Sequence, residues 1–276
     1  MGRYAEVTRK TGETDIVVKL DLDGTGACDN STGVPFFDHM LNAFGRHGLF
    51  DLTVHAVGDV EVDAHHTVED TGIVLGEAFC QALGDKAGIT RFADAAIAMD
   101  ETLVMAAVDI SGRGQAYCEL PVPTDRVGSF DTELAVEFFY AFARDAKLTL
   151  HVRELAGGNS HHIIEAAFKA VGRTMRRACE LDPRVQGIPS TKGSLQPLQR
   201  QKPPRRCLSP LWWFWMMGRG GSRGRTEDRG GRLPQGQLVE RYARACARRC
   251  RRLHVGRSGA DPQRRRPGHP GRGRVL

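Results

Sequence analysis

What the chain lacks narrows its class before any motif is read. Its longest unbroken apolar run, Leu211 to Met217, is far too short to cross a bilayer. The opening residues, Met1-Gly2-Arg3-Tyr4-Ala5-Glu6, have no apolar segment of the kind that directs secretion, so no signal peptide is expected. Of seven cysteines, the four before residue 196 (Cys28, Cys80, Cys118, Cys179) form no C-x-x-C pair. They read as scattered thiols of a reducing compartment rather than a disulfide framework. There is no glycine-rich nucleotide-binding motif. The expectation is a cytoplasmic protein that uses no organic cofactor.

Charge is distributed unevenly. Residues 196–276 hold 20 arginines, one lysine and four acids, a net of +17. Residues 1–195 keep 18 basic and 29 acidic residues, a net of −11. The overall charge of +6 and the pI of 9.1 therefore average two unlike pieces, and say nothing about what the acidic body binds.

Within the body, apolar periodicity predicts an alternation of strands and helices. Glu6–Arg9 and Asp15–Leu22 read as strands joined by the turn-like Lys10-Thr11-Gly12. Gly24, Gly26, Asn30 and Gly33 mark a loop. Pro35 opens a helix on which Phe36, Phe37, Met40, Leu41 and Phe44 recur at helical spacing. A strand over Leu49–Val57 and a helix from Ala64 to Leu83 follow. The second half repeats the order. Ile97–Met99, Leu103–Ile110 and Gln115–Leu120 are strand-like, Glu133–Arg144 is helical, Leu148–Arg153 is a strand, and Ser160–Leu181 is a long helix. This order implies an α/β sandwich of two similar halves.

An internal repeat supports the duplication. Residues 63–69 read Asp-Ala-His-His-Thr-Val-Glu and residues 159–165 read Asn-Ser-His-His-Ile-Ile-Glu, 96 residues apart. Each places His-His-x-x-Glu at the start of a helix. His65 and Glu69 are i and i+4 and share a face, and His66 and Glu69 are i and i+3. His65 and His66 diverge by about 100° around the axis, so one metal ion is ill-placed to take both. The same holds for His161, His162 and Glu165. Two metals, or two sites at a subunit junction, fit this geometry better. Imidazole with carboxylate suits Mn, Fe or Zn, and the carboxylate content favours Mn or Fe. No thiolate lies nearby, which argues against structural zinc.

Four motifs occur in order: Phe37-Asp38-His39-Met40-Leu41, Asp63-Ala64-His65-His66-Thr67-Val68-Glu69-Asp70, Gly158-Asn159-Ser160-His161-His162-Ile163-Ile164-Glu165 and Pro189-Ser190-Thr191-Lys192-Gly193. Together they resemble the imidazoleglycerol-phosphate dehydratase family over about residues 3–195. The resemblance implies an α+β sandwich of two duplicated ferredoxin-like half-domains, 1–92 and 93–195. Each would be a four-stranded sheet with helices on one face. It implies a hydro-lyase that removes water from D-erythro-imidazoleglycerol phosphate to give imidazoleacetol phosphate in L-histidine biosynthesis. It further implies two Mn²⁺ ions per active site, sites at subunit junctions, and a homo-oligomer of 24 subunits. Carried over by motif, the metal ligands are His39, His65, His66, Glu69, His161, His162 and Glu165, with Glu137 where some relatives have histidine. His151 is read as supporting or structural. Substrate binding falls to Glu13, Arg91, Arg113, Ser190 and Lys192, the last four gripping phosphate through charge-assisted bonds. The proton removed is not next to a carbonyl, so a carboxylate must move it: Glu13, Glu69 or Glu165.

Residues 196–276 form a third segment, for which disorder is the expectation. It contains all three tryptophans, in Trp212-Trp213-Phe214-Trp215, among Arg-Gly and Arg-Pro stretches. Such composition fits an out-of-frame extension of a GC-rich gene better than an RNA-binding arm. Nucleic acid is thus an expected partner only through this segment, and no membrane partner is expected. Two rival functions stay open at this point: another two-metal chemistry such as hydrolysis, and an RNA-binding protein whose body is a scaffold.

Overall fold

Alternation of apolar and polar residues builds the first sheet. In β2 (Thr14–Asp21), Thr14, Ile16, Val18 and Leu20 are buried while Lys19 faces solvent. β2 pairs antiparallel with β1 (Tyr4–Lys10), setting Val7 against Val18 and Ala5 against Leu20. It also pairs antiparallel with β4 (Asp51–Gly58), setting Val54 against Val18. A short edge strand, β3 (Cys28–Ser31), lies parallel to β4 and completes the order β1-β2-β4-β3. The structure is a computed structural model and describes residues 2–195, which fall within one compact unit. The arginine-rich segment and its tryptophan cluster lie outside the described residues.

The second half repeats this plan. β5 (Phe92–Met99), β6 (Thr102–Asp109), β7 (Gln115–Glu119) and, after the small β8–β9 hairpin (Arg126–Val127, Phe130–Asp131), β10 (Thr149–Ala156) form a sheet ordered β5-β6-β10-β7. As in the first sheet, the last pair is parallel. The expected sandwich of two duplicated halves, each a four-stranded sheet with helices on one face, is therefore observed. Details differ from the sequence reading, which lacks the β8–β9 hairpin. The Gly24–Gly33 stretch contains β3, and β5 begins at Phe92, five residues before Ile97.

Helices α1 (Pro35–Gly48) and α2 (His65–Ala82) cover the first sheet, and α3 (Leu134–Asp145) and α4 (Ser160–Cys179) cover the second. The helix layers then pack together, α1 on α4 and α2 on α3, which leaves both sheets outside. Phenylalanines fill this middle. Phe37, Phe44, Phe79, Phe138, Phe142 and Phe168 are fully buried, with Phe138 and Phe168 stacked at 5.1 Å. Each such ring contributes on the order of 3 kcal/mol by burial. At the α1–α4 crossing Gly172 lies against the backbone of Phe44, and at the α2–α3 crossing Gly76 lies against that of Phe142. A Cβ at either glycine would meet the facing carbonyl oxygen at 2.5 or 2.7 Å, so side-chain-free residues set the helix spacing. No described helix is long and apolar enough to cross a membrane.

Candidate active site

The duplicated motif opens α2 and α4, as the sequence predicts. Asn159 caps α4, its side-chain oxygen accepting from the backbone N–H groups of His161 (2.9 Å) and His162 (3.3 Å). At α2 the Asp63 carboxylate accepts from the N–H of His65 at 2.8 Å. These contacts fix the first turn, so the two imidazoles of each motif leave the helix in different directions. Their ring centroids are 6.2 Å apart and their planes cross at 89° (His65, His66) and 81° (His161, His162).

The first histidine of each motif turns to its own glutamate. His161 Nε2 lies 3.0 Å from Glu165 Oε2, and His65 Nε2 lies 3.8 Å from Glu69 Oε2. Packing of α1 on α4 adds His39, whose Nε2 is 3.3 Å from the same Glu165 oxygen. Asp38 anchors that end of α1 by accepting from the N–H and hydroxyl of Thr32 at 2.8 and 2.6 Å. The ligand atoms of His39, His161 and Glu165 all lie within 4.8 Å of one another. Two imidazole nitrogens and a carboxylate oxygen, with no thiolate, form a donor set that fits a divalent transition ion. The Lys169 ammonium contacts the other oxygen, Oε1, at 2.7 Å and leaves Oε2 to the histidines. Burial pushes the Glu165 carboxyl up, but Lys169 and the two histidines outweigh it and hold the carboxyl below its ordinary value.

The second histidine of each motif meets carboxylates from loops. His162 Nδ1 lies 3.0 Å from Glu101 Oε2, and its Nε2 lies 3.7 Å from Asp100. Asp100 and Glu101 form the β5–β6 turn, and their ligand atoms cluster with that of His162 within 4.8 Å. The imidazole contact, helped by the N–H of Asn159 and the hydroxyl of Thr102, holds Glu101 down at about 2. His66 Nδ1 lies 3.0 Å from Asp59 and 3.9 Å from Glu13, and the Asp59 contact raises the imidazole above its ordinary value. Glu13 belongs to the β1–β2 turn, which Thr14 (2.6 Å) and Arg9 (2.7 Å) tie to Asp70 of α2. The two hairpin turns thus present carboxylates to equivalent histidines. Asp59, Asp100 and Glu101 are absent from the sequence reading. The usable signal was the equivalence of the β5–β6 turn with the turn holding Glu13.

Glu137 sits in the first turn of α3, 98 residues after His39. The same offset joins Leu49 and Lys147, which end the two helices with the same left-handed φ of 55°. Glu137 is therefore the repeat counterpart of His39, although it joins neither of the two carboxylate–histidine clusters described above. His151 lies apart from the motifs, on an exposed face of β10, stacked on Tyr117 at 4.7 Å.

The candidate anion-binding residues gather elsewhere. Arg91 bonds Asp109 (2.8 and 3.3 Å) and donates to the carbonyl of Pro189 at 2.7 Å, which brings the Ser190–Lys192 segment to it. Arg113 approaches the same Asp109 at 3.9 Å. Arg91 adopts a φ of 72°, a strained value for a side-chain-bearing residue. Two internal rulers place this group far from the histidines. β6 runs from Thr102, beside Glu101, to Asp109, about 23 Å at 3.3 Å per residue. α4 runs from His162 to Ala178, whose carbonyl accepts from the N–H of Arg91, about 24 Å at 1.5 Å per residue.

The comparisons agree with one another. The family model for imidazoleglycerol-phosphate dehydratase matches residues 32–175. The chain is 60% identical to imidazoleglycerol-phosphate dehydratase of a Thermoanaerobacter species over 193 residues, covering 70% of this chain and 100% of that protein. It is 58% identical to the enzyme of Dinoroseobacter shibae over 194 residues, again 70% of this chain and 100% of the relative. The crystal structure of imidazoleglycerol-phosphate dehydratase from Staphylococcus aureus superposes with a TM-score of 0.60 at 37% identity. That match covers 65% of this chain and 99% of the other. A structure from Pyrococcus furiosus gives the same TM-score and identity, with 68% and 99% covered.

Proposed function

We propose that this chain, which belongs to the imidazoleglycerol-phosphate dehydratase family and is a hydro-lyase of histidine biosynthesis, works with two Mn²⁺ ions per active site at junctions between its own copies. Its substrate is D-erythro-imidazoleglycerol phosphate and its product imidazoleacetol phosphate. What supports the metal reading most is the convergence of His39, His161 and Glu165 within 4.8 Å. Glu137, His65 and Glu69 are the repeat counterparts and would hold the other ion. His66 and His162, which project away from these sets, would reach ions shared with neighbouring copies. Bound divalent ions supply Lewis-acid polarisation and a template for the substrate's imidazole.

The chain's own residues divide the remaining work. Arg91, Arg113, Ser190 and Lys192 bind the phosphate, the guanidinium forks giving paired charge-assisted bonds. Of the three hairpin carboxylates, Asp100 and Glu101 both attend His162, and Glu101, fully engaged by His162, Thr102 and Asn159, serves to orient it. Glu13 makes no hydrogen bond through its carboxylate among the described residues, and its side chain is 58% exposed. We therefore assign proton transfer at the substrate carbon to Glu13, with Glu69 and Glu165 held as ligands. Such a positioned base contributes roughly 10²–10⁴-fold.

The separation of more than 20 Å between phosphate residues and histidines exceeds the reach of one small substrate. This supports sites built from more than one copy, in the 24-subunit homo-oligomer that the family resemblance implies. The four thiols Cys28, Cys80, Cys118 and Cys179 are free, which supports a cytoplasmic location. Co-assembly tests shared sites. His161→Ala and Arg113→Ala chains are each inactive alone, and mixed particles regain turnover because some junctions combine both intact parts. Mixed particles that form but never turn over would place each site within a single chain.

A further inference from the structure

A cavity of about 430 Å³ lies at the opposite end of α2 from its histidines, and none of the residues assigned above lines it. Its volume is in the range of small-molecule sites. Lys86 and Lys147 line it, with Gly84, Gly112, Ile188 and Leu195 among the other walls. Lys86 is 6% exposed, yet its ammonium has no hydrogen-bond or ion-pair partner among the described residues. Its Nζ keeps some solvent access, so the ammonium opens to the cavity rather than into closed core. Lys147 stands exposed on the rim, where a left-handed φ of 55° turns it at the end of α3. The cavity's one carboxylate, Asp85, is exposed and accepts from the backbone N–H of Ala87 at 2.9 Å, so it does not neutralise Lys86. Glycine walls leave room for a ligand to approach the main chain.

We propose that this cavity is a second, non-catalytic site for a phosphate-class oxyanion, free or as the head of a small ester, held between Lys86 and Lys147. Two ammonium groups match the charge of a phosphate dianion, and the apolar patch of Ile188 and Leu195 receives the remainder of an ester. Burial draws the Lys86 ammonium below its ordinary value, Cys80 opposes this, and Lys147 adds to it. An anion between the lysines offsets both the burial and the repulsion. The wall from Ile188 to Leu195 is continuous with Ser190 and Lys192, so occupancy bears on the segment that meets substrate phosphate in another copy's site.

The test uses the full chain, with inorganic phosphate as probe and tungstate as its heavy analogue. Crystals soaked in tungstate should show anomalous density between Lys86 and Lys147 as well as at Arg91 and Arg113. Phosphate titration should resolve two classes of site, of which Lys147→Gln weakens one about tenfold, the loss of about 1.4 kcal/mol, and Arg113→Ala weakens the other. Lys147 is on the rim, so this variant avoids the folding defect that Lys86→Gln risks. Glycerol phosphate competing better than phosphate assigns an ester, and the reverse assigns the free ion. Density confined to Arg91 and Arg113, or a Lys147→Gln titration identical to that of the parent chain, would overturn the proposal.

Discussion

Replacing Gly172 by alanine tests whether helix spacing governs the metal site. A Cβ at this position would lie 2.5 Å from the carbonyl oxygen of Phe44 and 3.2 Å from its Cα and carbonyl carbon. The obstacle is backbone, which no side-chain rotation relieves, so α1 and α4 must part by roughly an ångström to reach normal contact. Alanine favours the helix over glycine by about 1 kcal/mol. Overpacking of this kind costs about 1–3 kcal/mol, and a rigid obstacle belongs at the upper end. The expected net is a loss of about 1–2 kcal/mol. His39 rides on α1 while His161 and Glu165 ride on α4, so the His39–Glu165 contact of 3.3 Å opens with the helices. Mispositioned ligands of this kind cost about 10–100-fold in metal affinity. Urea unfolding of the metal-free protein and Mn²⁺ titration read the two effects. Gly12→Ala, where a Cβ meets nothing within 4 Å, is the control. A Gly172→Ala protein that gains about 1 kcal/mol, as an unobstructed helix position would, and binds Mn²⁺ normally would show that the Gly172–Phe44 approach does not set the metal site.

Three further outcomes are expected. Glu13→Gln should lower kcat by about 10²–10⁴-fold with metal content unchanged, and near-normal kcat would remove Glu13 from proton transfer. Glu101 is held at about 2 against an ordinary 4.5, so its stabilisation of the metal-free fold is present above 4.5 and lost as pH falls toward 2. Glu101→Gln should flatten the melting temperature across that window, and an unchanged acid limb would contradict the His162 contact. Removing residues 196–276 should leave turnover intact, since relatives match residues of the body over their full length. Lost turnover in a folded truncated chain would give that segment a role.

The helices and their histidine motifs were legible in the sequence because their period is regular and the duplication repeats it 96 residues on. β3 was not, because Cys28-Asp29-Asn30-Ser31 carries little strand preference and is held by its pairing with β4. Asp100 and Glu101 carry no motif of their own, and it is the packing of the β5–β6 hairpin over α4 that sets them on His162. The burial of Lys86 was likewise hidden, since Gly84-Asp85-Lys86 reads as an exposed turn and only the fold closes a cavity around it. The distance between Arg91 and the histidines follows from the run of β6 and α4, which residue identities alone do not express.

Metal-dependent dehydration is tested by chelation. Imidazoleglycerol phosphate turnover by the full chain is measured before chelation, after it, and after resupply of Mn²⁺. Metal dependence requires that turnover vanish with the metal and return with Mn²⁺. Undiminished turnover by the metal-free protein, or none from a folded, Mn²⁺-loaded one, would contradict it.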